Sequence, residues 1–186
     1  MNISRIITIV LTIAGISFLV IILSDPYFFT DTKKIQKTAE AKLEEGILGN
    51  KNAFKEASYY LNSLIEQGKD DRQTHELLYW SYRYDKNFER AEKALDEALE
   101  IYPEDPAFLY HRAEMRLELG KYEQALQDYD AVIPHIEKQS YYYDALYSRG
   151  AARYKLGLKA EAEADFRKAQ SLTKDTLQAY TVYFKE

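Results

Sequence analysis

The sequence predicts an all-α fold: an α-solenoid of about four helix–turn–helix units with a C-terminal capping helix, preceded by one transmembrane helix. Three observations carry this. Residues 6–23 hold no charge. From residue 38 onward a pattern of apolar and small residues returns every 34 positions, a period that signals stacked supersecondary units. Within each period the apolar residues fall at helical spacing, with polar or glycine breaks between paired helices.

The anchor is read over residues 1–24. After Arg5 runs IITIVLTIAGISFLVIIL, which as a helix spans roughly 27 Å, close to the ~30 Å hydrocarbon core of a bilayer. Asp25-Pro26 ends it, and Tyr27, Phe28 and Phe29 follow where an interfacial aromatic belt would sit. A cleavable signal peptide is the rival reading. Its apolar region is usually ~7–15 residues, followed by small residues of the A-x-A type, whereas here Ile22 stands two positions before Ser24. Arg5 favours a cytoplasmic N-terminus and an extracytoplasmic repeat domain, while Lys33, Lys34 and Lys37 pull the other way. The expectation is a single-pass membrane protein with its repeat domain outside the cytoplasm.

Residues 25–37 are a juxtamembrane linker and helix start, and the repeat domain runs over 38–186. Leu109–Tyr129 (LYHRAEMRLELGKYEQALQDY) and Leu146–Phe166 (LYSRGAARYKLGLKAEAEADF) agree at Leu-Tyr, Arg, Leu-Gly, Ala, Asp and a final aromatic. On these residues the chain resembles the tetratricopeptide repeat family, a 34-residue helix–turn–helix unit with a small residue closing the first helix on the second. Alignment gives units at 38–71, 72–105, 106–139 and 143–176, enough to bury a continuous core. The first is the weakest: Phe54, Ala57, Leu61 and Leu64 fall in register, but Asn52 stands for the turn glycine, and Gly46 and Gly49 interrupt the first helix. Asp85-Lys86-Asn87 forms a turn without its glycine. Pro134 should stop its helix near Ile133, and residues 135–143 are the least regular part. Leu177, Tyr180 and Phe184 read as a cap over 177–186.

Composition and motifs exclude much chemistry. A net charge of −5 lacks the basic face of a nucleic-acid binder. With no cysteine there is no thiolate zinc site, disulfide or thiol nucleophile. His75-Glu76-Leu77-Leu78-Tyr79 misses the H-E-x-x-H zinc motif because Tyr79 stands at the second histidine. No phosphate loop or nucleophile elbow occurs. No enzyme activity, cofactor or metal is implied.

Two sets of residues remain. Arg112/Asp128 and Arg149/Asp165 recur at equivalent places and read as structural links between paired helices, with Arg116 and Arg153 placed to share the carboxylates. Ala91, Ala125 and Ala162 mark the closest helix approaches. The family resemblance further implies that first helices line a concave surface, onto which fixed positions project. These are Gln73, Glu76, Leu77, Trp80, Arg83 and Tyr84, then Ala107, Tyr110, His111, Glu114, Leu117 and Glu118, and finally Asp144, Tyr147, Ser148, Ala151, Tyr154 and Lys155.

Gln73, Glu76, Trp80, Arg83, Tyr84, Tyr110, His111, Glu114, Tyr147, Tyr154 and Lys155 are the candidate partner-binding side chains. Rings with interspersed charges suit an extended peptide or a partner helix, although rings are also how such helices pack. The basic clamp by which relatives hold an acidic chaperone tail is absent: Lys42 fits, but Gly46, Leu77, Ala107 and His111 occupy the other places. The expected function is a membrane-anchored adaptor or scaffold binding a segment of a partner protein, in assembly of an envelope or membrane complex. The alternative is a permanent subunit held through the convex face and transmembrane helix.

Overall fold

The computed structural model describes residues 31–172. The anchor expected over 6–23 and the cap expected over 177–186 lie outside them. Among the described residues no helix is long and apolar enough to cross a membrane.

Eight α-helices follow one another among the described residues: α1 (Thr32–Ile47), α2 (Asn52–Glu66), α3 (Arg72–Tyr84), α4 (Phe88–Ile101), α5 (Pro106–Glu118), α6 (Tyr122–Val132), α7 (Tyr142–Lys155) and α8 (Lys159–Leu172). Each packs on the next, while α1 also meets α3 and α5 meets α7. The result is an all-α solenoid of paired helices. The first helix of the first pair starts at Thr32, inside the segment read as linker and helix start.

Local chemistry sets the boundaries. Asp71 opens α3 with a capping box: its carboxylate accepts the Thr74 N–H at 2.9 Å, and its own N–H donates to the Thr74 hydroxyl. Asp105 accepts the N–H groups of Ala107 and Phe108, with Pro106 at the first turn of α5, where its missing N–H costs nothing. Helices α3, α5 and α7 end alike. Lys86, Gly120 and Gly157 take φ of 59°, 72° and 80°. The next residue's N–H then reaches back to Tyr82, Arg116 or Arg153 at 2.8–2.9 Å, the closure of a Schellman motif. Lys86 does this without the freedom that glycine gives its counterparts.

The first pair departs from the sequence expectation. Asn52 does not make the turn; it opens α2, and Gly49, three positions earlier, takes the left-handed φ of 123°. Gly46 does not interrupt α1 but lies within it, buried. A Cβ there would meet the Phe54 ring at 2.3 Å, so the missing side chain lets that ring press against the helix. Pro134, which lacks an N–H and clashes with the preceding turn, follows the end of α6 at Val132, and Ile133–His135 form a single 3-10 turn. The irregular stretch beyond still contributes Ile136, 1% exposed, to the core.

The core is shared between neighbouring pairs rather than enclosed in each. Phe54, Ala57 and Leu61 of the first pair bury against Leu78 and Ala94 of the second. Tyr79, Leu95 and Ala98 bury against Phe108 and Met115 of the third. Ala113, Ala125 and Tyr129 bury against Leu146 and Phe166 of the fourth. Apolar faces that cannot be covered within one pair are thus covered by stacking. Ala91, Ala125 and Ala162 are buried in this seam.

Candidate functional site

Two faces of the array carry organised side chains. The first lies at the junctions between pairs. Arg112 on α5 donates Nε and Nη2 to the two carboxylate oxygens of Asp128 on α6, at 2.9 and 2.7 Å. Its Nη1 reaches Asp96 on the preceding α4 at 2.9 Å. One turn on, Arg116 adds a third bond to Asp128 at 2.7 Å and one to Asp96 at 3.3 Å. The fourth pair repeats the network: Arg149 grips Asp165 at 2.9 and 2.6 Å, Arg153 adds a bond of 2.7 Å, and both reach back to Asp130.

Asp128 and Asp165 are buried charges, tolerable because three N–H groups satisfy each. Asp96 and Asp130, absent from the sequence reading, are what tie each unit to the one before. Their separation by one repeat period was the available signal.

The junction between the first and second pairs is built from neutral groups. At the places equivalent to Arg112, Arg116, Asp128 and Asp96 stand Leu78, Tyr82, Ala94 and Asn62. Asn62 Nδ2 donates to the Tyr82 hydroxyl at 2.9 Å. Beside them is an open depression of about 270 Å³ edged by Arg90, Lys93 and Glu97. Tyr82, expected in the core, is half-buried there.

The second face belongs to the first helices α3, α5 and α7. Here the rings form a continuous series. Phe54 stacks on Tyr84 at 5.7 Å, Tyr84 on Trp80 at 5.5 Å, and Trp80 meets His111 edge-on at 5.1 Å. His111 then meets Tyr110 at 5.1 Å, and Tyr110 meets Tyr141 at 4.7 Å. Behind them Tyr79 is fully buried and stacks on His111 at 4.6 Å. Its hydroxyl lies 3.3 Å from His111 Nδ1, which is also 3.1 Å from Glu114 Oε2, and Tyr110 donates to Glu114 at 2.9 Å. Burial, then the nearby Glu114 charge, pushes the Tyr79 and Tyr110 phenols well above the ordinary tyrosine range.

The candidate binding residues do not share one environment. Trp80 and Arg83 are half-buried, with the guanidinium 5.7 Å over the indole ring, and Tyr84 is exposed. Tyr110 and Tyr147 are buried to 6% and 7% and pack between neighbouring pairs, so their rings are chiefly core. His111 and Glu114 are held in the bonds just described. Gln73 donates to Glu40 on α1, and Glu76 receives Arg72. Tyr154 is half-buried with Lys159 6.0 Å over its ring, and Lys155 is exposed. The rings open to solvent therefore belong mainly to α3. Tyr141, just ahead of α7, joins them although its position is not among those expected to project.

Comparison with known proteins gives the same architecture. A family profile described as tetratricopeptide repeat matches residues 78–141, and a second of the same description matches 143–176; together they span more than half of the chain. No curated protein matches the sequence. Among solved structures, a crystal structure of MamA superposes with a TM-score of 0.64 at 18% identity, over 81% of each chain. A structure of MamA AMB-1 in the P212121 form gives 0.61 at 14% identity, over 92% of this chain and 90% of that one. These likenesses are of fold.

Proposed function

Because this chain belongs to the tetratricopeptide repeat family, we propose that it is a membrane-anchored scaffold whose first-helix face is a concave groove that binds a segment of a partner protein. One observation carries the groove: the ring series from Tyr84 through Trp80 and His111 to Tyr141 runs across two helices without a break. Tyrosine and tryptophan give large contact area at low entropic cost, and they dominate the energetics of such surfaces. The uncharged run at residues 6–23 supports the anchor. Anchoring raises the effective concentration at the membrane, so a modest groove affinity suffices for a role in assembling an envelope or membrane complex. Arg5 on the leading flank supports an extracytoplasmic repeat domain; a reporter fused to the C-terminus that is active in the cytoplasm would overturn that orientation.

A permanent subunit docked through the second-helix face is the other reading. Tyr59 on α2 supports it, 62% exposed beside a depression lined by Lys55, Ser58, Asn62 and Arg90. Crosslinking in native membranes, with the Trp80→Ala/Tyr84→Ala variant in parallel, separates the two. Loss of the captured partner supports the groove; undiminished capture favours the second-helix face.

A further inference from the structure

The groove face holds two carboxylates that differ from those elsewhere in the array. Asp96, Asp105, Asp128, Asp130 and Asp165 each bond to an arginine. Among the described residues, neither Glu114 on α5 nor Asp144 on α7 has a lysine or arginine within 4.0 Å. Glu114 has the Tyr110 hydroxyl and the His111 ring, and Asp144 has the Tyr143 hydroxyl. The two lie near enough to repel each other: burial first, and then the Glu114 charge, raise the Asp144 carboxyl above its usual range. Around them the half-buried rings of Trp80 and Tyr141 present π faces, which attract cations. Arg83 and Lys155 stand at the last turns of α3 and α7, at the opposite end of those helices from Asp144.

Resting on the groove reading above, we propose that the partner segment is basic. A lysine or arginine side chain lies across Glu114 and Asp144, with its stem or guanidinium plane against Trp80 and Tyr141. Charge complementarity selects this occupant: two partly desolvated carboxylates facing a common space reject an acidic segment and gain little from a neutral one. An arginine would supply the bidentate donor fork that the array's other carboxylates already receive from within.

The chain has a single tryptophan, Trp80, so its fluorescence reports on this face alone. The full chain in detergent micelles is titrated with the blocked peptide Ser-Leu-Ala-Arg-Leu-Ala-Arg-Ser and with its citrulline and glutamate counterparts. The arginine peptide should shift Trp80 emission saturably and bind about tenfold or more tighter than the citrulline peptide, the scale of one charge-assisted bond. Glu114→Gln and Asp144→Asn should each weaken it by a similar factor, about tenfold.

Asp144→Asn should nevertheless melt no lower than the parent, because it removes a charge that the folded state disfavours; a merely structural carboxylate would behave oppositely. Equal binding of the arginine and citrulline peptides overturns the basic partner while leaving the groove intact. Arginine-peptide binding unaffected by both substitutions also overturns it. Silence of Trp80 toward every peptide, together with undiminished partner capture by Trp80→Ala/Tyr84→Ala, overturns the groove itself.

Discussion

Arg112 and Asp128 are joined by two parallel bonds, of 2.9 and 2.7 Å, across the α5–α6 pair, and Asp128 receives a third bond from Arg116. Asp128 is 5% exposed, whereas Asp96, which the same arginines reach, has 45% of its side chain in solvent. Removing one partner of a buried pair leaves the other charge uncompensated, at a cost of about 3–5 kcal/mol, while an exposed pair contributes only about 0–1 kcal/mol. Asp128→Asn should therefore lower chemical-denaturation stability by several times as much as Asp96→Asn. Equal losses would show that the network does not depend on burial.

Lys86 occupies a left-handed backbone at φ 59°, where the later units use Gly120 and Gly157. A side chain there costs roughly 1–2 kcal/mol, partly offset by the extra entropy glycine loses on folding. Lys86→Gly should raise stability by up to about 1 kcal/mol, read as a higher denaturation midpoint. A drop would mean that the lysine makes compensating contacts.

Gly150 faces the ring of Phe166, and an added Cβ would stand 2.6 Å from the ring's Cε1. Because the pair sits in the buried seam of α7 and α8, Gly150→Ala should destabilise by about 1–3 kcal/mol through overpacking. The double variant Gly150→Ala/Phe166→Leu should recover part of the loss in a double-mutant cycle. No coupling between the two changes would refute the contact as the cause.

Tyr79 and Tyr110 have phenols raised by burial and by Glu114. The ordinary phenol value is about 10. Since the folded values lie above it, their contribution is complete below that pH and is lost as pH rises beyond it, when only the unfolded chain releases these protons. Stability should fall through the alkaline range, and Tyr79→Phe/Tyr110→Phe should flatten that slope. An unchanged slope in the variant would place the alkaline sensitivity elsewhere.

Periodicity made the repeat architecture legible because stacked units must each present the same apolar stripe. Arg112, Asp128, Arg149 and Asp165 could be picked out for the same reason: they return with the repeat. Gly49 and Gly46 were misassigned, since a glycine that makes a turn and one that admits a neighbouring ring are identical in one dimension. Tyr110 and Trp80 both occupy positions expected to project from a first helix, yet one is core and the other half open.

The sequence by itself determined the helix pairs, their period and their order, because spacing, caps and turn residues act over a few positions. Only the tertiary structure decided which side of each ring faces water. It also decided that Asp96 and Asp130 join neighbouring pairs, and that Glu114 and Asp144 share a space without a cation. Those outcomes depend on how one pair stacks on the next, and stacking is fixed by volumes and charges brought together from distant parts of the chain.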